Sequence, residues 1–168
     1  MDSNFKNWKQ TALGKYSFYK QEQKIGELEI QTTLFQRKAI IDLENQKYTL
    51  KHTGFWKSNI EIVDEKDNVI LKTYTEKRYS NTRIIALEGK KLQLIIRNNP
   101  LAEYAIVEDN HEILAYGLEV KEGKAVVRIQ TSIQNQSYLL DCYLWYLLAP
   151  IAQEQLGNDL DTLLLFTA

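Results

Sequence analysis

One cysteine, two histidines and seven glycines in 168 residues set the first limits. Cys142 is alone, so no intrachain disulfide can form; inside an apolar run, a free thiol behaves as a small hydrophobe. A reducing, cytoplasmic compartment is the expectation. His52 and His111 lie far apart with no nearby cysteine, which argues against a zinc site, and neither a metal nor a cofactor is expected. The glycines are scattered and form no phosphate-cradling run. Charge of one sign is also missing: 21 Lys and Arg stand against 22 Asp and Glu, a net charge of −1. That balance gives no general affinity for nucleic acid or for a membrane surface, so an electrostatic partner must be met by a local patch. The opening "MDSNFKNWKQ" has no apolar core of a secretory leader, and none is expected.

A membrane span is missing as well. The most apolar stretch, "YLLDCYLWYLLAPIA" (Tyr138–Ala152), falls short of the roughly 20 residues a spanning helix needs. Asp141 inside it would cost about 2.5–3.5 kcal/mol on insertion. The run therefore reads as a buried helix. It is rich in Leu and Ala, Ser137 stands at an N-cap position, and Asp141 suits the positive end of the helix dipole. Pro150 removes the bond to the Tyr146 carbonyl and must kink or end the first segment; Gly157 is a plausible terminus. From Cys142 to Ala149 the run is apolar around its whole circumference, so protein must surround it on all sides.

The remaining composition, 44% hydrophobic and 26% charged, is that of one folded domain over residues 1–168. "KYTLKH", "KLQLIIR" and "KAVVRIQTSI" alternate with period two: Tyr48, Leu50 and His52; Leu92, Leu94 and Ile96; Ala125, Val127, Ile129, Thr131 and Ile133. Further segments between about 15 and 133 read as strands, separated by short turns such as "LENQ", "DEKDN", "EGKK", "EDNH" and "KEGK". The expectation is mainly β: a closed antiparallel barrel of about 12 strands. A barrel that wide leaves a lumen, and the apolar helix, about 137–156, would thread it. Lengths agree, since Tyr138–Ala149 spans about 18 Å as helix and a six-residue strand about 20 Å. A short tail, 157–168, follows.

The hairpins "FWKSNIEIVDEKDNVILK" (Phe55–Lys72) and "AEYAIVEDNHEILAYG" (Ala102–Gly117), with the terminal "YLLDCYLWYLL", resemble the tubby-like superfamily. That group includes tubby C-terminal domains, LURP-one-related proteins and phospholipid scramblases, and the chain is most similar to the LURP-one-related branch. The resemblance runs from about Lys15 to Gln155. It implies a β-barrel around a C-terminal helix and a non-catalytic binding module for phospholipid headgroups or a protein partner. No phosphoinositide-binding motif of tubby proteins is matched, so no family residue carries over.

No catalytic constellation is present. The acids Asp64, Glu65 and Asp67, and Glu108, Asp109 and Glu112, lack the ligand spacing of an EF-hand and read as turn residues. The candidate ligand-binding segment is "KTYTEKRYSNTR". Lys72, Lys77, Arg78 and Arg83 with Tyr74 and Tyr79 are the chemistry that suits phosphate-bearing ligands. The plainer alternative is a solvated hairpin whose cations guard a sheet edge. Asp141 is expected to be structural, accepting backbone or tyrosine hydroxyl hydrogen bonds at a barrel mouth. The rival to the binding module is a carrier or enzyme holding a small apolar ligand in an open lumen; a helix filling the barrel would count against it.

Overall fold

The computed structural model describes residues 5–77, 82–98, 101–132 and 137–156. Twelve strands precede one helix: β1 (Lys6–Ala12), β2 (Lys15–Lys20), β3 (Gln23–Thr32), β4 (Arg37–Leu43), β5 (Gln46–Thr53), β6 (Asn59–Asp64), β7 (Val69–Tyr74), β8 (Thr82–Leu87), β9 (Lys90–Asn98), β10 (Ala102–Glu108), β11 (His111–Lys121), β12 (Lys124–Thr131) and α1 (Tyr138–Leu156). Each strand pairs antiparallel with the next, and order in the sheet is order in the chain. The sheet curls into a nearly closed barrel. At the seam Lys6 of β1 reaches β12, its Nζ donating to Thr131 Oγ1 at 3.3 Å.

An up-and-down barrel sends alternate connections to opposite ends. Gln21–Glu22, Glu44–Asn45, Glu88–Gly89 and Asp109–Asn110 all turn on two residues of positive φ, which matches the right-handed strand twist. These turns share one end with residues 65–68, and each carries a carboxylate: Glu22, Glu44, Glu65 and Asp67, Glu88 and Asp109. We call it the acidic end. At the other end the connections after β1, β3 and β5 carry none (Leu13–Gly14, 33–36 and 54–58), while those after β7 and β11 carry Glu76 and Glu122.

The helix enters at the acidic end and finishes at the opposite one. Its side chains from Leu139 to Tyr146, and Leu148 and Ala149, are buried. Their partners come from around the barrel. Trp145 stacks on Trp8 of β1 at 5.6 Å and meets Tyr16 of β2 edge-on at 5.3 Å. Tyr146 reaches His52 of β5 and Arg37 of β4. Asp141 reaches Tyr116 of β11. The helix thus fills the lumen, as an all-round apolar surface requires.

Two boundaries differ from the sequence reading. The barrel begins at Lys6, not near Lys15. "KNWKQTA" hides its strand because, of the inward positions Lys6 and Trp8, only one is apolar; Lys6 is buried by an ion pair. At the other limit β12 stops at Thr131, and Ile133 lies outside the described residues, as do Gly157 and the tail 157–168. Pro150 does not end the helix, which continues to Leu156.

Gly26, inside β3, shows how closely the strands approach. A Cβ there would sit 2.4 Å from the Asp42 carbonyl oxygen and 3.0 Å from Leu43 Cδ1. The backbone oxygen cannot step aside, so Gly26→Ala is expected to cost about 1–3 kcal/mol, as overpacking does. Chemical denaturation measures it; an unchanged midpoint would contradict the tight β3–β4 contact.

Candidate functional site

The segment singled out by sequence divides between two faces. Thr73 and Ile85 are register partners on β7 and β8 and both are buried, so Lys72 and Tyr74 point outward. Lys72 pairs with Glu61 at 3.1 Å. Lys77 is exposed in the connection after β7. Arg83 shares the inward face of Ile85 and Leu87 and stands half-buried at the rim. Arg78 and Tyr79 lie outside the described residues. Lys72 and Arg83 therefore share no surface, and among the described residues Arg83 has no hydrogen-bond or ion-pair partner.

Arg83 instead joins a rim that the sequence did not announce, at the end where the helix finishes. Pro150 has no N–H, so the carbonyl four residues back, on Tyr146, loses its helical partner. Arg37 takes that place, its Nη2 donating to Tyr146 O at 2.6 Å. The guanidinium also lies over the Tyr146 ring, 4.0 Å from the centroid. Beside it, His52 Nε2 sits 2.7 Å from the Tyr146 hydroxyl and Nδ1 sits 3.2 Å from the Lys57 carbonyl. A carbonyl only accepts, so Nδ1 carries the proton and the Tyr146 hydroxyl donates to Nε2.

The electrostatics of this rim are one-sided. Burial is the largest cause holding His52 below the usual histidine range, and the charges of Arg37, Arg83 and Lys57 push the same way. Burial likewise lowers Arg37 from the ordinary arginine value, with only tyrosines opposing. Tyr104 and Tyr146 are raised by burial, against the same arginines. Among the described residues no carboxylate acts on any of these groups. A half-buried guanidinium fixed by a carbonyl, a second with no partner among the described residues, and a neutral imidazole are the donor types that suit an anion.

The acidic end holds a different arrangement, fully buried. Lys6 Nζ donates to Asp141 Oδ2 at 2.9 Å and Oδ1 at 3.2 Å, the Tyr116 hydroxyl donates to Oδ1 at 2.8 Å, and Trp8 Nε1 donates to Tyr116 Oη at 3.0 Å. Burial raises the Asp141 carboxyl above its usual range, and Lys6 and Tyr116 pull it back. Every polar atom is engaged and none faces solvent, so the network locks strand β1 to the helix. Farther up the helix, Trp145 Nε1 is buried with no hydrogen-bond partner among the described residues, and the buried Tyr143 hydroxyl faces Thr73. Burial pushes the Tyr143 hydroxyl up to about 12.

Elsewhere the side chains have structural partners. Asp64 accepts from the Lys66 and Asn68 backbone N–H groups, each at 2.9 Å, and so holds its own turn. Glu112 pairs with Arg97 at 2.5 Å. Among the described residues no group of three or more His, Cys, Asp or Glu side chains is disposed to hold a metal, and no helix is long and apolar enough to cross a membrane. No family model, curated protein or solved structure matches the chain.

Proposed function

We propose that this chain is a cytoplasmic, non-catalytic binding module of the tubby-like kind, whose barrel rim takes a phosphate-bearing headgroup. One observation carries the reading: at a half-buried rim Arg37 is fixed on Tyr146, whose hydroxyl is bonded to His52, and the charges acting on His52 are those of Arg37, Arg83 and Lys57, with no carboxylate among the described residues. A dianionic phosphate would supply the missing charge, and the Arg37 fork offers two parallel donors to it. The filled lumen favours this over the carrier reading, since Trp145, Tyr143 and Leu144 occupy the space an apolar ligand would need.

The test is calorimetric titration with a soluble inositol polyphosphate. Arg83→Gln is expected to weaken binding about ten-fold or more, the worth of one charge-assisted hydrogen bond, with no change in melting temperature. Arg37→Lys keeps the charge and loses the fork, so it falls between wild type and Arg37→Gln. Raised salt weakens every titration, because exposed charges are screened within about 8 Å at physiological ionic strength. Equal affinity of wild type and Arg83→Gln would remove the rim as the site.

A further inference from the structure

The rim is flanked by apolar side chains that have nothing to cover them. Leu34 and Phe35 occupy the connection between β3 and β4; Phe55 and Trp56 occupy the one between β5 and β6; they are 82% to 96% exposed. Because β4 and β5 are hydrogen-bonded neighbours, the two connections stand side by side, and Lys57 Nζ donates to the Phe35 carbonyl at 3.4 Å. Phe55 and Trp56 meet edge to face at 4.9 Å, with their rings held out from the barrel. Leu13, 85% exposed, lies in the connection between β1 and β2 at the same end. Large aromatic and aliphatic side chains this exposed, gathered on neighbouring loops, mark an interaction site and not scattered surface.

The charges around them select the occupant. The chain has no Asp or Glu from Ile30 to Ile41 or from Asn45 to Ile60, stretches that hold Arg37, Lys38, Lys47, Lys51 and Lys57. The far end of the barrel carries the acidic turns at Glu22, Glu44, Glu65, Asp67, Glu88 and Asp109. Glu76 and Glu122 stand in the connections after β7 and β11 at the near end, so the basic character is local to the β3–β4 and β5–β6 connections, where the apolar tips are. Apolar tips with Lys57 between them and Arg37 at the start of the adjoining strand match an anionic bilayer surface, where aromatic rings settle at the headgroup level and basic side chains meet lipid phosphates. A second copy fits poorly, because a two-fold contact through this tip would set Lys57 and Arg37 against their own images.

We infer that Leu34, Phe35, Phe55 and Trp56 form a docking tip that enters the interfacial layer of an anionic membrane and brings the rim down onto a headgroup. The inference rests on the binding-module reading above and adds the surface from which the ligand comes. Its acidic end faces away from the bilayer, and the barrel axis stands steeply on it.

Tryptophan fluorescence tests this directly. Trp8 and Trp145 are fully buried in the barrel and Trp56 is exposed, so a collisional quencher reads Trp56. Vesicles of phosphatidylcholine and phosphatidylserine with brominated acyl chains are expected to quench it at low salt, and brominated phosphatidylcholine alone much less. Leu34→Ser with Phe55→Ser should lower vesicle affinity about ten-fold or more while leaving the melting temperature and binding of the soluble inositol polyphosphate unchanged. Absence of quenching with soluble binding intact would overturn the tip and leave the rim. Quenching by anionic vesicles with no soluble binding would keep the tip and remove the headgroup site. A concentration-dependent dimer abolished by the same double substitution, or equal quenching by neutral and anionic vesicles, would overturn the anionic-membrane assignment.

Discussion

Lys6→Met is expected to destabilise the protein by about 3–5 kcal/mol at neutral pH, because it leaves a carboxylate buried without its cation. Asp141 is wholly buried and Lys6 is its cationic partner at 2.9 Å. Adding Asp141→Asn should recover most of the loss, since the amide oxygen still accepts from the Tyr116 hydroxyl and no charge remains inside. The pH dependence has a definite sign. Asp141 is already raised by burial, and removing Lys6 removes the chief opposing influence, so its folded value climbs further. A carboxyl raised in the folded state gives its stabilisation fully below the unfolded value of about 3.9 and loses it as pH rises through the folded value. Lys6→Met should therefore lie closer to wild type at mildly acidic pH than at pH 7. Denaturation of the three proteins at both pH values checks this; a loss that does not depend on pH, or no recovery in the double variant, would contradict a buried ion pair.

Trp145→Ala should cost about 3–5 kcal/mol, the range for a large aromatic removed from a packed core. Trp145 is fully buried between Trp8 and Tyr16, so its loss opens the middle of the filled lumen and not a periphery that can collapse. For a domain of ordinary stability, about 5–15 kcal/mol, that is a large share of the total. The indole N–H, which has no partner among the described residues, offsets part of the loss and sets it toward the lower end of that range, since one unmade hydrogen bond is worth about 1–3 kcal/mol. Removing the whole helix is expected to leave an empty barrel that aggregates. A cooperative melt from a chain cut before Tyr138, or a loss below 1 kcal/mol in Trp145→Ala, would show that the helix does not hold the barrel.

The barrel and its helix were legible because both obey simple periods. Alternation in "KLQLIIR" and "KAVVRIQ" could only suit strands with one buried face, and the apolar circumference from Cys142 to Ala149 could only suit a helix enclosed by protein. Strand β1 was not legible, because an inward lysine breaks the alternation that would reveal it. Asp141 held the clue: an acid in the most apolar run of the chain calls for a buried cation, and the alternation of Lys6 with Trp8 supplies one. The candidate site was read only in part. Arg83 belongs to the rim, but Lys72, close to it in sequence, does not share its face, because Lys72 and Tyr74 point outward on β7 and Lys72 is paired with Glu61, while Lys77 is exposed in the connection between the two strands. Arg37 and His52 come from strands that no local window joins to Arg83. The nearest signal was Pro150, whose missing N–H frees the Tyr146 carbonyl, and a freed carbonyl deep in a fold seeks a donor.

Anion binding at the rim is tested most directly by the ring protons of His52, followed by NMR as pH is lowered with and without a soluble inositol polyphosphate. In the free protein His52 should titrate below the ordinary value of about 6.5, because burial and three neighbouring cations disfavour its charged form. An anion held by Arg37 and Arg83 offsets those charges, so His52 should titrate at higher pH when ligand is present. In Arg83→Gln the ligand-induced rise should largely vanish. A His52 titration that ignores the ligand, or a ligand-induced rise that persists unchanged in Arg83→Gln, would contradict an anion site at this rim.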